Sequence, residues 1–268
     1  MDMQAQFTFM GSGGSMGIPV IGCHCATCHS ADPLDQRMRP SGLIQIADKN
    51  FVIDVGPDFR MQALRLGMEK IDGVLISHAH SDHIAGLDDL RAYYFLHKSK
   101  TPCLLSKPAF EEVKQRYPYL FQPIDNRKSV TAQFDFYVLS QEFGFIFFQG
   151  VRWVFFSYLH AGIQVTGFRI GNFAYVSDIR YYSNRVIDML IGVETLAISV
   201  HKKKATEVHF GIEEAIGFSN LIEAKKTYFT HLSHDFEHSK TKLPSGFQLA
   251  YDGMVIFFAI PKKDIHDN

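Results

Sequence analysis

The chain has 268 residues, 46% of them hydrophobic and 21% charged, with 24 Phe, a composition that supports a substantial core and excludes a disordered chain. This length lies near the upper end of what one hydrophobic core supports, and the chain reads as a single α/β domain over 1–268. The 27 Lys and Arg balance 28 Asp and Glu to a formal charge of -1, so no whole-protein field favours a long polyanion; a compact metal site makes its own positive potential and suits a single phosphate.

Met1-Asp2-Met3-Gln4 lacks the basic region and apolar stretch of a secretory signal, so a cytoplasmic location is expected. Gln6 to Phe9 reads as a short strand that empties into Gly11-Ser12-Gly13-Gly14-Ser15-Met16-Gly17, too rich in Gly for regular structure. Three of the four cysteines follow within Cys23-His24-Cys25-Ala26-Thr27-Cys28. Thiols this close pair poorly with one another, and in a reducing compartment they persist as thiolates, so the loop at about 11–42 is expected to hold metal. His24 and His29 compete with more distant residues for the fourth ligand position, and spacing alone leaves that open. Leu43 to Ile46 and Phe51 to Val55 form a hairpin with its turn at Lys49-Asn50, and Asp54 is placed to orient a neighbouring polar loop. That loop is His78-Ala79-His80-Ser81-Asp82-His83, entered directly from the apolar strand Gly73 to Ser77. Ile84, Leu87, Leu90 and Tyr94 then recur at helical steps.

Cys103 reads as a buried structural thiol. Between Ser106 and Gln149 a helix over Pro108 to Tyr117 mixes with Pro118, Pro123 and strand-like pieces. Phe143 to Leu159 is the most apolar stretch, but Gln149, Gly150 and Arg152 interrupt it and it falls short of the ~20 residues a membrane span needs, so it reads as a hairpin of buried strands. Val151 to Leu159, Thr166 to Ile170, Phe173 to Ser177, Leu196 to Val200 and Thr227 to Thr230 are further strands, each leading toward a His or Asp. Ile212 to Ala224 is helical in character and Met254 to Ile260 is a last buried strand. Strands, polar sites and helices in succession suit layered α/β architecture.

The loop His78-x-His80-x-Asp82-His83 places four metal-ligand types in six residues after a buried strand, a density that costs stability unless metal or solvent compensates it. The alternative is a polar helix cap at Asp82 with exposed histidines. A closed ligand shell needs more groups, and the candidates at later strand ends are His160, Asp178 and His231.

These positions resemble the metallo-β-lactamase superfamily, whose H-x-H-x-D-H pattern is followed by a distant His, Asp and His. The resemblance implies a four-layer αββα sandwich. It also implies that His78, His80 and His160 hold one divalent metal, that Asp82, His83 and His231 hold the other, and that Asp178 bridges them. The ligand types accept Zn²⁺, Mn²⁺ or Fe. A more specific resemblance is to the PhnP-type phosphodiesterases of the tRNase Z branch. It rests on Gly11-Ser12-Gly13-Gly14 leading through Gly17-Ile18-Pro19 to Gly22-Cys23-His24-Cys25, on Ile53-Asp54, the histidine loop, Val176-Ser177-Asp178, Thr230-His231-Leu232-Ser233-His234, and Leu243-Pro244-Ser245-Gly246-Phe247 leading to Tyr251-Asp252-Gly253-Met254. It implies a structural zinc on Cys23, Cys25, Cys28 and His234. It also makes His209 the general acid, with His201 as its competitor, while Asp82 is the other residue expected to serve catalysis directly.

The expected chemistry is in-line attack on phosphorus by a hydroxide held between two metals, with a small, cyclic-nucleotide-like or phosphoribosyl cyclic diester as substrate. A tRNase Z-like endonuclease is the second reading, and neutral charge with no basic Gly/Pro-rich arm counts against nucleic acid. A non-hydrolytic PqqB-like binding protein is the third, disfavoured by the complete ligand set. A homodimer is allowed and no membrane partner is expected. His97, His238 and His266 read as surface histidines, Lys202-Lys203-Lys204 as a solvated loop before a phosphate contact, and Phe168 as core before a substrate platform.

Overall fold

Side chains alternate along nearly every strand between two apolar environments, and that alternation builds the molecule. The computed structural model describes residues 2–122 and 130–266. Its first sheet contains β1 (Asp2–Gly11), β2 (Ser41–Ile46), β3 (Lys49–Ile53), β4 (Gly73–Ile76), β5 (Thr101–Ser106) and β6 (Phe134–Leu139). The second contains β7 (Phe143–Phe148), β8 (Val151–His160), β9 (Ile163–Ile170), β10 (Phe173–Val176), β11 (Thr195–Ser199), β12 (Lys226–Thr230) and β13 (Phe247–Leu249), after which β14 (Val255–Pro261) returns to the first sheet beside β1. The orders are β14-β1-β2-β3-β4-β5-β6 and β13-β12-β11-β10-β9-β8-β7.

In β3, Phe51 and Ile53 enter the core between the sheets while Val52 faces outward; in β10, Phe173 and Tyr175 enter that core while Ala174 and Val176 face outward. The outward residues of the first sheet are covered by α1 (Phe59–Arg65), α3 (Arg91–His97) and α4 (Lys107–Arg116), through Phe59, Ala63, Tyr93, Ala109 and Val113. Those of the second sheet are covered by α5 (Asn184–Leu190) and α6 (Ile212–Leu221), through Val186, Leu190, Ala215 and Phe218. The short helix α2 (Ser81–Ile84) lies in the histidine loop. The result is the expected four-layer αββα sandwich, with a core between the sheets that runs from Ala5 to Ile260 and includes fully buried Trp153.

Four local expectations are corrected. The β2–β3 turn sits at Ala47-Asp48, with Ala47 at φ 52°, so Lys49 and Asn50 already belong to the strand. The helix expected through Ile84 to Tyr94 is broken: α2 stops at Ile84, the Gly86 N–H leaves the helical pattern to donate to the Val55 carbonyl, and a 3₁₀ turn at Leu87–Leu90 leads into α3. The β7–β8 hairpin forms as expected around Gln149-Gly150, yet β7 is an edge strand with Phe145 and Phe147 exposed. Of the histidines expected at the surface, His238 is half-buried near Arg37, with Nδ1 enclosed. Phe168 is core, and Cys103 is fully buried, its thiol pushed up by that burial. Pro123 lies outside the described residues.

Candidate metal centre

The parallel strands β3, β4 and β5 of one sheet and β10, β11 and β12 of the other end toward a common rim. The polar residues directly after them therefore converge: Asp54 follows β3, His78 follows β4, Asp178 follows β10, His201 follows β11 and His231 follows β12, while His160 closes β8. Asp54, Asp178 and His231 take left-handed backbone conformations, with φ of 62°, 47° and 59°. Non-glycine residues adopt that region at a cost, and such strain collects where a side chain must be aimed.

Asp178 is the hub. Its Oδ2 lies 3.3 Å from His78 Nε2 and 3.2 Å from His83 Nε2, and its Oδ1 lies 3.2 Å from His231 Nε2. Asp82 Oδ2 stands 3.3 Å from both His83 Nε2 and His231 Nε2. Two groups of ligand atoms thus form, His78, His80 and Asp178 in one and Asp82, His83, Asp178 and His231 in the other, with Asp178 common to both. Ligand atoms about 2.0–2.1 Å from a shared tetrahedral ion stand roughly 3.3 Å apart, the spacing found here. His160 stands slightly back, its ring 5.3 Å from that of His80.

The tautomers are already set for metal. His83 Nδ1–H donates to Asp54 Oδ2 at 2.7 Å, His78 Nδ1–H donates to Ser77 Oγ at 2.9 Å, and His160 Nδ1–H donates to the Val208 carbonyl at 2.8 Å. In His78 and His83 this turns Nε2 toward Asp178. His78 Nε2, His83 Nε2 and Asp178 Oδ1 are buried without a hydrogen-bond partner among the described residues, a costly arrangement that bound cations would relieve. The donor set fits the two-metal expectation on these grounds. Burial pushes His78 down to about 4, which keeps it in the neutral, ligand form. Burial alone would also lower His83 and raise Asp178, but carboxylates around His83 lift it well above the ordinary histidine value, and His231, His78 and His83 hold Asp178 well below the carboxylate range.

Both general-acid candidates face this centre. His209 Nδ1 is 3.7 Å from Asp178 Oδ1, and its ring lies 4.5 Å from His160 and 4.7 Å from His201. His201 donates from Nδ1 toward the His231 carbonyl at 3.4 Å and packs on Gly14, where a Cβ would come within 2.7 Å of Nδ1. Burial lowers His209 to about 3 and His201 to about 4, so both are neutral before an anion arrives.

The second cluster gathers Cys23, Cys25, Cys28 and His234, with His234 Nδ1 at 3.3, 3.7 and 3.6 Å from the three sulfurs. Bonds of 2.3 Å to sulfur and about 2.0 Å to nitrogen give a tetrahedral S···N edge of roughly 3.6 Å, so these residues could hold one zinc. His24 and His29 pack on each other instead. Arg37, wholly buried, donates to the Phe236 carbonyl and pairs with Asp35, which fastens this loop to the segment after His234. Sequence reasoning missed Ser77, whose N–H and Oγ–H both donate to Asp54; its only signal was its place at a strand end just before the histidines.

A model of the Lactamase_B_2 family, described as a beta-lactamase superfamily domain, matches residues 49–232. A solved structure described as a new diphosphatase from the PhnP family superposes with a TM-score of 0.89 at 35% identity, covering 97% of this chain and 99% of that one. A protein named octanoyltransferase, from Porphyromonas gingivalis, is 31% identical over 258 residues, 91% of this chain; the chain spans only 50% of that protein's length. A ribonuclease Z from Bradyrhizobium diazoefficiens is 37% identical over 60 residues, 22% of this chain and 20% of its own.

Proposed function

The chain belongs to the beta-lactamase superfamily of metal-dependent hydrolases, and from that premise we propose that it is a dinuclear phosphodiesterase for small, linear or cyclic, phosphodiesters. The observation that carries this reading is the sharing of Asp178 between two ligand groups, with His160 beside the first. Seven ligands would serve two divalent ions, Zn²⁺ or Mn²⁺, and Cys23, Cys25, Cys28 and His234 would hold a structural Zn²⁺. A two-metal pair supplies a nucleophile ionised near neutral pH and a clamp on the non-bridging phosphoryl oxygens.

The chain's own residues then have defined work. Asp54 and Ser77 fix the rings of His83 and His78, and Asp82 and Asp178 provide the negative charge that makes the centre selective for cations. Water adds across one P–O bond, leaving a phosphomonoester and an alcohol, and the departing alkoxide needs a proton. His209 would supply it. Its imidazole, held neutral by burial, would take up that proton when an anionic phosphoryl group arrives beside it, a contribution of roughly 10²–10⁴-fold. The octanoyltransferase is about twice as long as its matched part, so acyl transfer is not carried over. A tRNA 3′-end substrate is the competing reading, and the short ribonuclease Z match supports it only around part of the site.

The test is metal content together with hydrolysis of bis(p-nitrophenyl) phosphate by the native protein, Asp178→Ala and His209→Ala. About three metals per chain and hydrolysis are expected from the native protein. Asp178→Ala loses catalytic metal and activity, whereas His209→Ala keeps its metals and loses ~10²–10⁴ in kcat. A native protein that holds one zinc and cleaves nothing would overturn the reading in favour of a binding protein.

A further inference from the structure

Next to His80 a pocket of about 480 Å³ opens between α4 and the β8–β9 turn. It falls within the size range of small-molecule sites, and its wall includes His80, a member of the candidate metal centre. One wall is the face of α4 carrying Glu111, Glu112 and Arg116; the opposite wall is Gly162 of the turn with Ile163 and Gln164 at the start of β9. Arg116, the one Lys or Arg among the described lining residues, pairs with Glu112 at 3.1 Å. Glu111 has no cation partner among the described residues. Gln164 donates to Ser157 at 2.8 Å, which fixes an amide at the pocket wall.

We propose that this pocket holds the group attached to the scissile phosphate, and that this group is an uncharged, hydroxyl-bearing body of nucleoside size that carries no second phosphate on the α4 side. The inference rests on the phosphodiesterase reading and narrows its substrate. The proposed metal pair would take one phosphoryl group; a further phosphate placed along α4 would meet Glu111, with no unpaired Lys or Arg among the described residues of the pocket. Carboxylate and amide groups instead suit sugar hydroxyls, and Ile163 with Ala109 and Pro108 supplies apolar surface for a ring. An RNA strand continuing through the pocket would face the same repulsion at each added phosphate.

Three chromogenic esters with one shared leaving group test this: bis(p-nitrophenyl) phosphate, the p-nitrophenyl ester of thymidine 5′-phosphate, and the same ester bearing a 3′-phosphate. The native protein should favour the thymidine ester over its 3′-phosphorylated form in kcat/KM by about ten-fold, since like charges across a site oppose binding. Glu111→Arg should shrink that preference by at least roughly five-fold. Ile163→Trp, which fills the pocket, should lower the thymidine-to-bis(p-nitrophenyl) ratio about ten-fold through KM, and should weaken calorimetric binding of thymidine 5′-monophosphate in parallel. If Ile163→Trp fails to fold, Glu111→Arg on the exposed helix face carries the charge test alone. Hydrolysis of all three esters with ratios unmoved in both variants overturns the pocket assignment while leaving the phosphodiesterase reading intact. No hydrolysis of any ester overturns both.

Discussion

At the scale of single residues, the geometry of the histidine cluster depends on side chains outside the two groups of ligand type. Asp54 is fully buried, held in a left-handed conformation, and receives donors from His83 and from both the N–H and Oγ–H of Ser77. Removing it frees the His83 ring and strands a buried imidazole N–H. Asp54→Ala should therefore weaken catalytic metal binding by about 10–100-fold, measured by chelator competition, while the cysteine-site zinc is retained. Wild-type affinity in that variant would show that the hydrogen bonds do not set the ring. Much of this was legible: the histidine loop carries four ligand types in six residues, and Asp54 stands at the end of an apolar strand. The role of Ser77 was not, because a hydroxyl at a strand end looks the same in sequence whether it faces a carboxylate or water.

At the scale of elements, close backbone approach decides the loops. A Cβ on Gly56 would lie 2.1 Å from the Asp82 carbonyl oxygen, so the turn after β3 and the ligand loop can pack only with glycine there. Gly56→Ala should cost roughly 1–3 kcal/mol in urea unfolding and weaken the metal pair through Asp82. The same crowding explains the broken helix: Gly86 reaches back to Val55, a tertiary contact that the i, i+3, i+4 pattern of Ile84, Leu87 and Leu90 cannot reveal. Asp252 fastens the glycine-rich loop by accepting from the Ser12 N–H and Oγ–H and the Met38 N–H, with Arg65 at 3.9 Å. Burial raises it to about 6. The folded state therefore keeps this proton to about pH 6, whereas the unfolded chain releases it near pH ~4, so the contribution of Asp252 to stability falls as pH rises through that window. Relative to wild type, Asp252→Asn should gain about 2–3 kcal/mol between pH 4 and 7, read from urea midpoints at each pH. A pH-independent difference would refute the burial argument.

At the scale of the whole molecule, the sandwich brings distant segments to one rim, and the cysteine cluster joins two of them. The loop at 23–28 meets His234 beside the strand-like bridge between Gly13 and Leu232. Cys28→Ala should remove one metal per chain and lower the thermal midpoint by roughly 5–10 °C, as expected for a loss of 2–3 kcal/mol in a domain this size. An unchanged metal count would show that the cluster is not a zinc site. The layered class and most strands were readable from apolar runs and alternation. The fourth member of the cysteine cluster, His234, was not fixed by spacing, because it lies more than 200 residues away, and α1, α5 and β5 escaped because short elements carry little periodic signal. The pairing of β14 with β1 sets Asp2 opposite Pro261, while Gly11 at the far end of β1 adjoins the loop that leads to His231. A ten-residue strand at about 3.4 Å per residue puts both ends of the domain on the order of 30 Å from the chemistry. A second folded unit spliced onto either end would be tethered at the pole of the sandwich opposite the site.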